Sequence, residues 1–385
     1  MTRLGDVVET VVDCEHKTAP IDPDGDYFAV GTPAMSGFVI DYGEARRISR
    51  QTFESWTRRL TPRRGDLLLA REAPVGPVVM IPDSENVAPG QRTVLLRPQP
   101  RTVNSTFLYY ALKAPVTQRA LRERAAGSTV AHLNVADLRD FVFPFPFPSM
   151  ETQDSVTEVL GILDDRISAN NRAVEILDEL ASSLVAQLTL DASVRCLAEF
   201  ASVTMGTSPK GESMNEVGLG VPFFQGTRDF GVRTPNCRVF TTAPTRMANF
   251  GDVLLSVRAP VGSINRAQEE CCIGRGLASI TVPHGGNAVL LHVLQQASRQ
   301  WEPYESTGTV FGSIGRKDLE MIEVPWPDSD ELVRLTPVID ALENRLMAAD
   351  RESRTLAALR DTLLPALVSG RLSVRDAEAA VSEVV

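Results

Sequence analysis

Between residues 151 and 190 apolar or small side chains fall at Val156, Leu160, Leu163, Ile167, Val174, Leu177, Ala181, Leu184 and Leu188, with Asn170 in the one polar place. The steps alternate four and three, which is the seam of a helix packed lengthwise on a second helix. A constant shift of 179 residues finds that second seam at Leu335, Ile339, Leu342, Leu346, Ala349, Ser353, Leu356, Arg360, Leu363 and Leu367. Two sequences that keep one seam in step predict two helices packed on each other. Asp328 with Glu331 three places later forms a capping-box pattern, and Pro365 with Gly370 marks the end of the second helix. Each helix of roughly 36 residues is ~54 Å long, whereas the intervening residues 191–327 should have a radius of gyration near ~14 Å. Its ends cannot bridge a whole helix, so the pair is expected to be antiparallel. Outside the helices the pattern is mixed. Short β-rich runs occur at Asp66–Ala70, Val78–Ile81, Thr93–Leu96 and Asp252–Val257, and amphipathic helical stretches near Thr106–Leu112 and Ala288–Gln296.

The runs recur because the chain is duplicated. GDLLLAREAPVG at 65–76 returns as GDVLLSVRAPVG at 251–262 with eight identities. VAPGQR from Val87 then resembles CIGRG from Cys272, GSTVAHL from Gly127 resembles GTVFGSI from Gly308, and FPFP from Phe143 resembles VPWP from Val324. One long repeat with slowly drifting offset is a duplicated domain rather than a solenoid. The expected fold class is therefore mixed α/β. Two similar globular domains, 1–150 and 191–327, are joined by long helices at 151–190 and 328–370 that form an intramolecular antiparallel coiled coil with an approximate two-fold axis; residues 371–385 form a tail.

Hydrophobic residues at 43 % and charged residues at 23 % over 385 residues suit a folded, soluble protein. The net charge of −10 would oppose nucleic-acid binding if it were spread evenly. It is not. The first domain segment carries +1, the first helix −6, the second domain −1 and the last 58 residues −4. Asp6 and Glu9 interrupt any signal-peptide stretch and no segment reads as transmembrane, so a cytoplasmic protein without membrane contact is expected. The odd set Cys14, Cys196, Cys237, Cys271 and Cys272 lacks CxxC spacing and reads as reduced packing residues, with no metal site. His16, His132, His284 and His292 are scattered, and no phosphate-loop, dinucleotide, zinc-protease or serine-elbow motif occurs. No catalysis is expected of this chain.

What remains is chemistry suited to phosphates and base edges. Arg46, Arg47, Arg50, Arg58, Arg59, Arg63 and Arg64 cluster around Phe53 and Trp56; guanidinium groups with aromatic support suit DNA backbone contact, and a solvated charged face fits equally. Lys210, Gln225 and Arg228 lie on predicted turns, and Gln and Arg make the paired contacts to adenine and guanine edges. Ordinary turn chemistry also accounts for those loops. Arg71 and Arg258 sit inside the repeated block, where a buried ion pair and a DNA contact are alternatives. Gln91, Arg92, Arg275, Ser128, His132, Ser313 and Lys317 are further loop candidates. In the seam, Leu160, Leu163, Ile167, Leu177, Leu184, Ile339, Leu342, Leu346, Leu356 and Leu363 are candidates for helix pairing and partner docking. Asn170 is a candidate for fixing register.

The duplicated blocks, together with DCEHKTAP at 13–20, SPKG at 208–211, PFFQG at 222–226 and LLPALVSGRL at 363–372, resemble the specificity subunit of type I restriction-modification systems. The resemblance spans nearly the whole chain and adds His16 and Lys17 to the candidate DNA contacts. It implies two target-recognition domains, each reading half of a bipartite site in double-stranded DNA, with helices that set the spacer and dock two methyltransferase (modification) subunits. Those partners would carry S-adenosylmethionine, with no cofactor in this chain, and a motor-nuclease (restriction) subunit would join for cleavage. The alternative from another class is a coiled-coil adapter that assembles protein partners without touching DNA.

Overall fold

The computed structural model describes residues 1–82, 86–125, 131–283, 285–305 and 312–383. The chain forms two compact units, Met1–Arg166 with Leu356–Val385, and Ile167–Thr355.

Unit 1 holds α1 (Leu4–Val7), β1 (Val8–Asp13), β2 (Tyr27–Val30), β3 (Arg46–Ile48), α2 (Arg50–Trp56), β4 (Leu67–Arg71), β5 (Val75–Met80), β6 (Val87–Pro89), β7 (Thr93–Pro98), α3 (Ser105–Lys113), α4 (Pro115–Arg124) and α5 (Val135–Arg139). An antiparallel sheet is ordered β1-β7-β4-β5, and a smaller sheet β3-β2-β6 pairs β2 and β6 in parallel. Every residue of β4 is buried, which is why it reads as an unbroken apolar run rather than an alternation. Leu67, Leu68 and Leu69 are each fully buried, contributing about 2 kcal/mol apiece by area removed from water. Asn104 caps α3 by accepting from the amides of Thr106 and Phe107. The Pro-rich exit is an aromatic stack, with Phe143 in ring contact with Phe141, Phe145 and Phe147.

The first long helix, α6, spans Met150–Leu188. Unit 2 then runs through β8 (Ser193–Cys196), β9 (Ser202–Met205), β10 (Met214–Asn215), β11 (Val221–Phe224), β12 (Val239–Thr241), β13 (Met247–Ala248), β14 (Val253–Ser256), β15 (Ile264–Arg266), β16 (Cys271–Ile273), β17 (Leu277–Thr281), α7 (Asn287–Gln296), α8 (Arg316–Glu320) and β18 (Glu323–Trp326). Its main sheet is ordered β9-β17-β14-β15, the order of unit 1, and β11 pairs with β16 in parallel as β2 does with β6. The register repeats atom for atom: the amide of Gly90 donates to Val30 O at 2.9 Å and that of Gly274 to Phe224 O at 2.8 Å. Ala73-Pro74 and Ala259-Pro260 are both cis. No counterpart of α2 occurs between β12 and β14, so the arginine-rich segment belongs to one copy.

The second long helix, α9, spans Ser329–Val368. None of the twenty seam residues is exposed. Within unit 2 the helices run antiparallel: Asn171 faces Ser353 at 3.1 Å, and Val174 packs with Leu346 and Ala349. In unit 1 Arg360 reaches Asp164 at 2.7 Å. Asn170 is buried with its Nδ2 lacking a partner among the described residues. The neighbouring Asn171, at the exposed margin of the seam, accepts the hydroxyl of Ser353. After Val368 the chain closes in a Schellman turn: Gly370, at φ 71°, donates to Leu367 O, and Arg371 to Ala366 O. The expected tail is not structureless. It carries α10 (Val374–Ser382), capped by Ser373, with Ala377 and Val381 buried. No helix among the described residues is long and apolar enough to cross a membrane.

Candidate nucleic-acid interface

The repeated Gly-Asp pair is structural. Gly65 and Gly251 take φ near 84° and 83°, a left-handed turn open to glycine at little cost. The following aspartates, Asp66 and Asp252, accept from the amides of Arg63 and Asn249, then tie the neighbouring strand: Asp66 to Arg97 at 2.7 Å, Asp252 to Ser279 at 2.8 Å and Thr281 at 2.7 Å. These turns fix β4 and β14, whose far ends meet the segments that follow β6 and β16: the amide of Arg71 donates to Arg92 O at 3.0 Å and that of Val257 to Gly276 O at 2.9 Å.

At the end of each parallel pair the loops after β2 and β6, or β11 and β16, leave a depression. In unit 1 it is about 190 Å³, with Thr18, Glu44, Arg46, Gln91 and Arg92 among its walls. In unit 2 it is about 590 Å³, with Gln225, Arg228, Asp229, Arg238 and Arg258 among its walls. The glycines permit this approach. A Cβ on Gly90 would stand 2.4 Å from Gly31 N, and one on Gly276 2.5 Å from Gln225 O. The two depressions share a platform but not their side chains. Strand register sets Arg46 opposite Ala29 and Val239 opposite Phe223, so Arg46 and Val239 occupy matching places. Likewise Gln91 and Arg92 match Arg275 and Gly276.

Several sequence-predicted residues meet here. Arg46 makes no ion pair among the described residues. Gln91 Oε1 accepts from Thr18 at 3.1 Å, and Arg92 stands at φ 70° with Glu72 at 3.8 Å, a sparsely populated backbone conformation at the wall of the depression. Gln225 Oε1 accepts from Ser208 at 2.9 Å, and Lys210, Arg228, Arg258 and Arg275 are exposed. His132 and Ser313 form matching backbone bridges to Glu72 and Arg258. His16 and Lys17 are exposed on the loop after β1, His16 lying 3.1 Å from Asp13; Lys317 is exposed on α8. Ser128 and His284 lie outside the described residues, as do parts of the GSTVAHL and GTVFGSI segments.

Other placements correct the reading. Arg71 is 8 % exposed; its Nε lies 3.1 Å from Asp13 without hydrogen-bond alignment, and it donates to Leu133 O at 3.2 Å. The ion-pair alternative therefore describes Arg71, while its match in the second copy is the buried Val257. Arg258 matches Glu72 instead and is exposed. The arginine-rich segment is largely committed to local contacts. Arg47 donates to Gly25 O at 3.1 Å, Arg50 pairs with Glu54 at 3.0 Å, Arg58 with Glu15 at 2.8 Å, Arg63 with Glu9 at 3.7 Å, and Arg59 donates to Asp13 O at 3.2 Å; Arg64 also has a partner. Phe53 supports no cation at the surface. It is buried against Tyr27 at 4.5 Å, with half-buried Trp56 beside the same cluster.

Sequence reasoning missed the anchors that hold each domain to the long helices. Tyr110 on α3 donates to Asp164 of α6 at 2.7 Å, and His292 on α7 bonds Glu343 of α9 at 2.9 Å. The two pairs are the same contact in two copies: Asp164 and Glu343 differ by the seam shift of 179. Burial first, then Asp164, pushes the Tyr110 hydroxyl far above its usual range. Burial alone would raise Glu343, but the His292 hydrogen bond and Arg233 outweigh it and hold the carboxyl below its usual value. Asp178, His292 and Glu343 are close enough to resemble a metal site. The buried Arg233 contacts Asp178 and stands 3.5 Å from Glu343, so a guanidinium already fills the cation's place. Only the seam shift, applied to Asp164, could have pointed to Glu343 in advance.

Residues 1–178 match the family model described as type I restriction modification DNA specificity domain. A putative type I restriction enzyme MjaX specificity subunit of Methanocaldococcus jannaschii is 26 % identical over 347 residues, covering 81 % of this chain and 79 % of the relative. The type I restriction enzyme MjaIX specificity subunit of the same organism is 30 % identical over 152 residues, or 40 % of this chain and 34 % of that protein. The crystal structure of a type I restriction-modification S subunit from M. genitalium superposes with TM-score 0.67 at 18 % identity, covering 95 % of each chain, and shows the same fold. Residues 1–178 thus match a type I restriction modification DNA specificity domain, and the chain as a whole, with its duplicated domain and two long helices, is similar to type I restriction enzyme specificity subunits.

Proposed function

We propose that each unit reads one half of a bipartite site in double-stranded DNA, and that α6 and α9 set the spacer and dock two methyltransferase subunits. The observation that carries this reading is the pair of matched depressions. A fixed platform is repeated while the polar residues on it differ, as expected of two readers for two sequences. Exposed Arg46 and Arg92 in one copy, and Gln225, Arg228, Arg258 and Arg275 in the other, have the donors that major-groove edges and phosphates require. The chain supplies recognition and no chemistry of its own; S-adenosylmethionine belongs to the methyltransferase subunits, and a restriction subunit joins for cleavage. Methylome sequencing of a host with and without this chain tests the proposal. The expected result is loss of one bipartite methylation motif when the chain is removed. An unchanged methylome, with the chain still assembling protein partners, would establish the adapter alternative.

A further inference from the structure

In unit 2 the loop that lines the depression, residues 225–229, runs directly into a strap, residues 230–236, laid on the long helices. Arg233, 3 % exposed, contacts Asp178 of α6 and lies near Glu343 of α9. Arg354 of α9 donates to Thr234 Oγ1 and, at 2.7 Å, to Asn236 Oδ1. Asn236 then donates its own amide to Asp229 O at 2.7 Å. The Asp229 carboxylate accepts from the Gln225 amide at 3.1 Å and also pairs with Arg238. The side chain of Asn265 holds both the amide and the carbonyl of Gly231 at 3.1 Å, so the strap is fixed at its start as well. A continuous chain of polar contacts thus leads from α9 through Asn236 and Asp229 to the wall of the depression. Unit 1 is built differently, since its loop after β2 is held by Tyr109 of α3, which donates to Phe38 O at 2.9 Å.

We propose that Arg354 and Asn236 are positioning residues that fix the 225–229 loop to α9, so that base preference in this unit depends on the helix it is anchored to. The inference rests on the reading that the depression faces base edges. Its physical basis is tolerance: paired contacts to a base edge require donor–acceptor distances within a few tenths of an ångström, and an untethered loop does not hold them.

Asn236 is exposed, so Asn236→Ala should fold. It is tested in the full chain with its methyltransferase partner by methylome sequencing, beside Arg354→Gln and the conservative Asn236→Asp, which keeps the acceptor. Expected is a relaxation confined to one half-site, with off-motif methylation rising roughly tenfold, the discrimination of one base-edge contact. The other half-site and the spacer stay unchanged, and Asn236→Asp restores the wild-type motif. Uniform loss of methylation with the motif intact would mean a merely structural role and overturn the inference, as would a motif unchanged in both Asn236→Ala and Arg354→Gln. A wild-type complex that produces no bipartite motif would instead sink the DNA-reading proposal, and this inference with it.

Discussion

At the scale of single residues, the two arginines of the repeated block show how far one sequence motif can diverge in role. Arg71 is packed inside unit 1 against Asp13, whereas Arg258 is exposed at the depression of unit 2. Arg71→Ala leaves a partly buried carboxylate without its cation and should cost about 2 kcal/mol, fewer than the 3–5 of a fully buried pair because Asp13 keeps some solvent. Arg258→Ala should leave the melting temperature unchanged and degrade one half of the methylation motif. Calorimetry and methylome sequencing of both variants separate the roles, and the reverse pattern would refute the assignment. Glu343 gives a pH signature. Its folded carboxyl titrates below the usual value, so the stabilisation is complete above the unfolded value near ~4.3 and is lost as pH falls through the lower folded value. The melting temperature should therefore drop more steeply in acid for the natural protein than for Glu343→Gln, and parallel acid limbs would count against the coupling.

Among the elements, the long helices carry the strongest prediction. The 4-3 alternation located both seams and kept them in step, because burial along a helix pair imposes one spacing on the sequence whatever else is attached. The GD and AP blocks marked the same strands twice for a similar reason: a left-handed glycine and a carboxylate closing the turn are local requirements. Adding seven residues to α6 and seven to α9 at facing seam positions preserves the seam and lengthens each helix by ~10.5 Å. If the helices set the spacer, it should grow by about three base pairs at ~3.4 Å each, with both half-sites unchanged. Methylome sequencing would show this, and an unaltered spacer would remove the helices as its ruler. A single-helix insertion is the poorer test because it breaks the pairing.

For the whole molecule, the distribution of charge is the governing quantity. The net −10 is concentrated in the helical segments, and the two domains are near neutral; much of the arginine in unit 1 is already paired with acids of the same unit. Few cations remain to release counterions from DNA. Weak binding by the chain alone is the expected outcome, with tight binding only after methyltransferase subunits join and a steep fall with salt in the complex. Equilibrium binding at several salt concentrations, with and without the partner, measures it. Salt-insensitive binding by the complex would argue against phosphate contact.

By itself the sequence determined the duplication, the helix seams and the strands of the repeated blocks, because each is a periodicity or local turn requirement spaced along the chain. Only the tertiary structure decided which polar residues are available. It enclosed Arg71, turned the aromatics of the arginine segment inward, gave Ser353 its partner in Asn171, and brought Asn236 and Arg354 together from positions 118 residues apart. The physical reason is that burial and pairing of a charged side chain depend on partners distant in sequence. No local pattern encodes them.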